Sequence, residues 1–182
     1  MTKLGHLLQE FLDLTGWSGE IWTEENGDVH HLGTGATIDD QPCRIHVSTV
    51  DSLDSLAVFV YPPFRVKPSK HAEACKLINA INYQTLHGRF EIDPGDGELR
   101  YCNSADVEFC QPTAAFVRSM VLCGGGILTG WMPALAEVAM TEHTADGILA
   151  QSKVGDDGAA EPVAADATQS AAPRGRSPVT LH

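Results

Sequence analysis

The stretch 68–104, PSKHAEACKLINAINYQTLHGRFEIDPGDGELRYCNS, constrains the fold more than any other part of the chain. Its first part has apolar residues at the i, i+3, i+4 and i+7 spacing of an amphipathic helix, which are Ala74, Leu77, Ile78 and Ile81. Ser69 is predicted to cap the start of this helix, because a serine hydroxyl accepts hydrogen bonds from the first backbone amides. Gly88 is predicted to end it, because glycine adopts the left-handed conformation that commonly follows a helix.

A β-hairpin is predicted directly after Gly88. Phe90 and Ile92 alternate with charged residues, and Leu99 and Tyr101 repeat the same period after the turn sequence DPGDG. The helix and the hairpin each have one apolar face that needs a partner layer. This pairing indicates an α+β fold.

The first part of the chain adds a helix and three strands. An apolar stripe from Leu4 to Leu12 predicts a helix that ends before Gly16. Strands are predicted at 29–38, 43–50 and 56–61, with connections short enough for antiparallel neighbours. Ile21 and Trp22 are candidates for a further short strand. The strand at 56–61 is apolar on both faces, so we expect it to be covered on both, by helices or by another subunit.

A second apolar helical region is predicted after Pro112. The glycines at 124–126 are expected to interrupt it, since each glycine costs about 1 kcal/mol relative to alanine inside a helix. Pro133 predicts a kink or a new helical start. Past His143 the composition is rich in Ala, Asp, Ser and Pro and poor in large apolar residues. The sequence therefore predicts a folded domain at 1–143 and a disordered tail at 144–182.

The charge and the cysteine pattern limit the classes of function. The net charge is −12, and an acidic surface repels phosphate backbones, so no nucleic-acid partner is expected. The five cysteines are odd in number and form no CxxC pair, which favours free thiols in a reducing compartment. The N-terminus lacks the pattern of a signal peptide, and no segment reaches a membrane span of about 20 apolar residues. We expect a cytoplasmic protein without a membrane partner.

No motif for catalysis or for cofactor binding stands out. The glycine run lacks the Lys-Ser/Thr pair of a phosphate-binding loop, so close helix packing or a hinge is favoured there. A metal site at Cys43 and His46 with either His30 or His31 is a weaker alternative, because adjacent strand residues point to opposite faces. No cofactor and no bound metal are predicted. Asn82, beside the apolar stripe of its helix, is expected to bond to the backbone near Gly88 or to the adjoining strand.

Three segments of the chain resemble the YbjN-like family of bacterial proteins. They are LINAIN at 77–82, GRFEID at 88–93 and DGELRY at 96–101, and the proline in WMPAL at 131–135 is similar to one in the family's terminal helix. The resemblance spans roughly residues 3 to 140. It implies a fold like that of type III secretion chaperones, with the order α-β-β-β-α-β-β-α. Family members are described as regulators of sensory transduction with no established chemistry, so no catalytic residue is implied.

The sequence thus predicts an α+β domain with a five-stranded antiparallel sheet packed with helices. The favoured function is a non-enzymatic, chaperone-like or regulatory module that forms a homodimer and binds another polypeptide. The residues expected to bind that partner are Phe59, Tyr61, Phe64 and Trp131. The residues expected to be structural are Asn82, Gly88 and Phe90. One alternative is a small-ligand sensor with a pocket between the sheet and the terminal helix, lined by Trp131; the other is a metal-dependent enzyme.

Overall fold

The computed structural model of the chain describes residues 4–156 and 180–181. The elements in order are α1 (Gly5–Thr15), β1 (Glu20–Thr23), β2 (Val29–Ile38), β3 (Gln41–Val50), β4 (Ser55–Tyr61), α2 (His71–Gln84), β5 (Arg89–Ile92), β6 (Leu99–Asp106), α3 (Ala114–Met140), α4 (Ala145–Asp156) and β7 (Thr180–Leu181). The predicted α+β class with an antiparallel sheet is confirmed.

The sheet has six strands in the order β1-β2-β3-β4-β6-β5, and every neighbouring pair is antiparallel. The two-residue strand β7 pairs with β2 beyond the end of β1. The predicted count of five is wrong because Glu20–Thr23 forms an additional edge strand, at the place where Ile21 and Trp22 are candidates for one. Its side chains are mostly exposed, so no alternation of buried and polar residues reveals it. The other strands match the prediction within two residues at each predicted end.

The core lies between one face of the sheet and the helices, and we call this face the inner face. Every second residue of the central strands is buried there, as Val47 and Val58 show with no exposed surface. The helices α1, α2 and α3 all contact strands of the sheet, and α1 and α2 each contact α3. Their apolar stripes and the inner face form a single hydrophobic cluster, as the sequence periodicity predicts.

The two predicted limits of α2 need correction. A 3-10 turn at Pro68–Lys70 leads into the helix, and no side chain caps its first residue, so Ser69 is not its cap. The helix ends at Gln84, with Thr85 extended, and Gly88 lies in the connection to β5. Gly88 does adopt a positive φ of 66°. Its left-handed conformation turns the chain into the strand instead of ending the helix.

Helix α3 runs without interruption through the glycine run, contrary to the prediction, and it continues through Pro133, so no new helix starts there. A Cβ atom on Gly124 would lie 2.9 Å from ring carbons of Tyr101 and 3.1 Å from Val60 on the inner face. The missing side chain therefore lets the helix approach the sheet closely. This tertiary packing offsets the helical cost of glycine, which the sequence argument considered in isolation.

Helix α3 also corrects the expectation about membrane spans. By length and composition it is long and apolar enough to cross a membrane, since an 18-residue window of it has a mean hydropathy of 1.4. In the fold it packs against α1, α2 and the sheet, and residues along its whole length are buried. The core helix of a globular domain shows this same composition, so the packing accounts for it.

Helix α4 lies inside the segment predicted to be disordered. Ala145 and Ile148 are buried, and α4 contacts α2 and α3. The backbone amide of Ala145 donates to Glu73 at 2.7 Å, and Lys76 forms an ion pair with Asp146 at 2.6 Å. The prediction of disorder is therefore wrong for 145–156. Residues 157–179 and 182 of the predicted tail lie outside the described residues.

Candidate functional site

The face of the sheet opposite the helices is the candidate site, and we call it the outer face. In β3, Arg44 and His46 point to this face because they alternate with the buried Ile45 and Val47. The depressions on the outer face are lined by residues of the strands and their connecting loops. The outer face therefore exposes polar and aromatic side chains, whereas the inner face buries the core.

An aromatic row crosses the outer face from β1 to β4. It consists of Trp22, His31, His46, Phe59 and Tyr61. The Trp22 ring stacks on His31 and His46 with centroid distances of 5.1 and 5.7 Å. His46 then lies 5.7 Å from Phe59, which lies 6.4 Å from Tyr61. Trp22 is 43% exposed, so one end of the row is open to solvent.

Two histidines in the aromatic row share a hydrogen bond. The Nδ1 atom of His31 lies 3.0 Å from the Nε2 atom of His46, and the Nε2 atom of His31 lies 3.3 Å from a carboxylate oxygen of Glu24. Such a bond requires one nitrogen to carry a proton and the other to accept it. The two rings therefore cannot both become imidazolium in this geometry.

The surroundings of His46 favour its neutral form. Burial is the largest cause that lowers the pKa of His46 below its usual value of 6.5, and the positive charges of His31, Arg100 and Arg44 lower this pKa further. Below about pH 6.5 the His46 ring is then protonated to a greater extent in the unfolded chain than in the folded chain. The free energy of unfolding therefore decreases as the pH falls through this range.

We expect His46→Gln to make this decrease shallower, because the substitution removes the titrating ring. The measurement is urea unfolding of the wild type and the variant at a series of pH values from about 7.5 to 5.5, a range that brackets the usual histidine pKa. His87→Gln, in the exposed loop before β5, should keep the slope of the wild type. Equal slopes for the wild type and His46→Gln would show that His46 does not contribute.

Two arginines cover the aromatic row from the neighbouring strands. The guanidinium carbon of Arg44 lies 4.6 Å from the Tyr61 ring centre, and that of Arg100 lies 4.5 Å from the Phe59 ring centre. Both distances are typical of cation–π contacts. Arg44 donates to Glu98 at 2.7 Å. The charged groups and the rings thus form one surface.

The residues predicted to bind a partner are not all brought together. Phe59 and Tyr61 are neighbours in the aromatic row, and Phe64 lines an adjoining depression with Arg44. Trp131 lies on the helical side of the molecule. The depression that Trp131 lines is formed by α3 and α4. The sequence placed this pocket between the sheet and the terminal helix, so its predicted position is wrong.

The metal site suggested by the sequence is not assembled. Cys43 and His30 are buried on the inner face, whereas His46 and His31 belong to the outer face. Burial raises the pKa of the Cys43 thiol to about 11, which disfavours the thiolate that a metal would need. Among the side chains that the structure describes, no group of three or more from His, Cys, Asp or Glu is placed to hold a metal ion.

The three residues expected to be structural meet where α2 passes to β5. The Asn82 side chain donates to the Phe90 carbonyl at 3.0 Å and accepts from the Phe90 amide at 2.7 Å. The space beside Gly88 is filled by Tyr101 and by the carbonyl of Cys102. This cluster supports the hairpin edge and lies apart from the aromatic row.

Sequence reasoning did not predict that five residues come together on the outer face. They are Trp22, His31, Arg44, His46 and Arg100. The alternation in β3 does place Arg44 and His46 on the face opposite the core. Their contacts with rings on β1 and β4 depend on strand register, which a single sequence does not determine.

The geometry defines a class of domain. Helices cover the inner face of an antiparallel sheet, and the outer face carries aromatic residues and arginines without a covering layer of helices. Residues 6–128 match the model of the YbjN family, described as "Putative bacterial sensory transduction regulator". The chain belongs to the YbjN family, as the resemblance of its sequence predicted. The match extends from α1 into α3, so α4 lies beyond it. No curated protein matches the chain in sequence.

Two solved structures are similar to the chain. One is the crystal structure of the ExsC–ExsE complex, which matches with a TM-score of 0.53 at 15% identity, covering 74% of this chain and 97% of that chain. YbjN from E. coli, described as "a putative transcription regulator", gives a TM-score of 0.48 at 18% identity, covering 70% of this chain and 89% of that chain. The likeness to the ExsC–ExsE structure confirms the predicted chaperone-like fold.

Proposed function

We propose that this chain is a non-enzymatic binding module, regulatory or chaperone-like, that docks another polypeptide on the outer face of its sheet. The observation that carries the proposal is the aromatic row, which crosses four adjacent strands on the face opposite the helices. Aromatic side chains and arginine are the residues most enriched at the centres of protein interfaces.

The pre-formed geometry of the outer face supports this role. Each ring is held by its neighbours, so binding costs little additional side-chain ordering. Phe59 and Tyr61 have guanidinium groups above them, and these groups supply hydrogen-bond donors around the apolar centre. The ExsC–ExsE complex offers a related fold engaged with another protein. The family description as a regulator is consistent with binding in place of catalysis.

Site-specific photocross-linking tests this proposal. A benzophenone amino acid replaces Ser48, which lies on the outer face between His31 and Ala57, in the full-length protein expressed in the source cells. We expect a discrete cross-linked polypeptide after irradiation. The same replacement at the exposed Ser119 of α3 is the matched control, and we expect no such product from it.

A second substitution relates the cross-link to the aromatic row. Phe59→Asp should abolish the product at Ser48 because it places a carboxylate in the centre of the row. A circular dichroism spectrum establishes that the variant is folded, and Trp22→Ser, at the exposed end, provides an independent variant. A product that persists in both folded variants, or one that forms equally from Ser119, would contradict the proposal. A product of twice the chain mass would identify the homodimer expected from the sequence in place of a different partner.

A further inference from the structure

One edge of the sheet is only partly covered by its outermost strand. The four residues of β1 pair with residues 30–33 of β2, so residues 34–38 of β2 extend past β1. We call the stretch 34–38 the β2 edge. At the opposite side of the sheet, the Asn82 side chain bonds to the backbone of β5. An edge with unpaired backbone groups is a template for the addition of another strand.

A segment from far along the chain pairs with the β2 edge. Thr180 lies opposite Thr37, and Leu181 lies opposite Ala36, in the antiparallel register that forms β7. The chain from Asp156, where α4 ends, to Thr180 can span about 80 Å when extended. A domain of this size is about 40 Å across. The same chain can therefore supply this strand, and no second copy is required.

The β2 edge lies in an acidic part of the chain. Residues 4–43 contain eight Asp and Glu residues and no Lys or Arg. Exposed carboxylates lie at both ends of the edge, since Glu20 begins β1 and Asp39 and Asp40 form the turn after β2. The ion pairs formed between described side chains include none of these three.

The basic residues on the neighbouring elements do not balance this charge. Arg44 lies opposite Gly35 on β3 and lines a depression with Glu20, but its guanidinium pairs with Glu98 at 2.7 Å. Helix α3 approaches Ile38 at Gly125, and it has no Lys or Arg after Arg118. The described residues around the β2 edge therefore keep an excess of negative charge.

The segment that carries β7 has the opposite charge. Residues 167–182 contain Arg174 and Arg176 and no Asp or Glu. Because β7 is antiparallel to β2, a strand extended from Thr180 toward residue 174 would pass the turn at Asp39 and Asp40. Arg176 precedes Thr180 by four residues, and a long arginine side chain reaches the turn from there. The register and the charges thus favour the same arrangement.

We propose that the segment 174–182 is an intramolecular ligand of the β2 edge. Its backbone extends the sheet beside residues 34–38, and its two arginines pair with the carboxylates around the edge. The tether gives the segment an effective concentration in the millimolar range, so a free polypeptide competes poorly for the edge. The segment therefore shields the edge from strand addition by other proteins. This inference goes beyond the proposed function, because it concerns the edge of the sheet and not the outer face.

Disulfide trapping in the full-length protein tests the proposal. Thr37→Cys is combined with Thr180→Cys, because directly opposite residues of antiparallel strands have Cβ atoms about 5 Å apart, within reach of a disulfide. The matched control combines Thr37→Cys with Ser170→Cys. We expect the bond between positions 37 and 180 to form at least about tenfold faster than the control bond. An unattached segment would give similar rates, because loop closure depends only weakly on loop length.

A second set of variants tests the role of charge. Arg174→Gln together with Arg176→Gln, added to the cysteine pair at 37 and 180, should slow the bond by about two- to tenfold, as expected for two exposed ion pairs. Asp166→Asn in the same background is the control and should not slow it. Raising the salt concentration should slow the bond when both arginines are present and have little effect when they are absent.

Each outcome decides for or against the proposal. Equal rates for the two cysteine pairs would overturn it, and so would a disulfide that joins two chains, since the segment would then occupy a second copy. A rate that depends neither on the arginines nor on salt would overturn the pairing of charges. None of these results affects the cross-link at Ser48, so docking on the outer face stands or fails separately.

Discussion

Gly88→Ala is expected to reduce the free energy of unfolding by about 3 kcal/mol, the sum of a left-handed backbone penalty and an overpacking penalty. Gly88 has a φ of 66°, which an alanine adopts with strain. An added Cβ would overlap the Tyr101 hydroxyl and lie 2.6 Å from the Cys102 carbonyl oxygen. The Tyr101 hydroxyl donates to the carbonyl of His87 at 2.8 Å, so it cannot move away without losing this bond.

Gly27→Ala is the matched control for this prediction. Gly27 has a nearly identical φ of 72°, but no atom lies within 4 Å of the position of an added Cβ. This variant should therefore lose only the backbone term, about 1 kcal/mol. Urea or thermal unfolding of both variants measures the difference, and Gly88→Ala should lower the melting temperature by about 6–12 °C. Equal losses at the two glycines would show that contact with Tyr101 is unimportant.

Asn82→Ala is expected to cost about 2–3 kcal/mol, because it leaves two backbone groups of Phe90 without a partner. β5 is the last strand of the sheet, and its outer edge has no neighbouring strand among the described residues. The Asn82 side chain uses one N–H donor and its oxygen acceptor to bond to the backbone at this edge, as a neighbouring strand would.

The control for this variant lies on the same helix. Asn79 is exposed, so Asn79→Ala should change the free energy of unfolding by less than about 0.5 kcal/mol. Hydrogen exchange measures the local effect. The Phe90 amide should exchange faster in Asn82→Ala, while the amides in β3 should stay protected. A loss for Asn82→Ala no larger than that for Asn79→Ala would mean that water replaces the side chain at this edge.

The sequence predicts elements well where burial follows a single period. The strands β2 and β3 and the helix α1 have one buried face each, and their limits follow from alternation or from the 3.6-residue stripe. The prediction fails at α3 and α4 for a shared reason. The close approach at Gly124 and the contacts of Ala145 with α2 and α3 depend on partners distant in the chain.

The candidate site is likewise predictable only in part. Phe59 and Tyr61 are predictable because β4 is apolar on both faces, and one of those faces must be the outer one. The stacking of Trp22 on His46 joins β1 to β3 across β2, and it depends on the register of three strands. Charge balance around Arg44 likewise depends on Glu98, which is distant in sequence and belongs to the other end of the sheet order.

The close approach of α3 to the sheet also restricts which substitutions this chain can accumulate over evolutionary time. Any side chain at Gly124 would push the helix away from Tyr101 and Val60, and so would disturb the layer that supports the outer face. Two residues further on, an added Cβ on Gly126 meets nothing within 4 Å, so that position is free to vary and alanine there even favours the helix. Two glycines of one run are thus under different constraints, because position 124 must lack a side chain and position 126 can carry one.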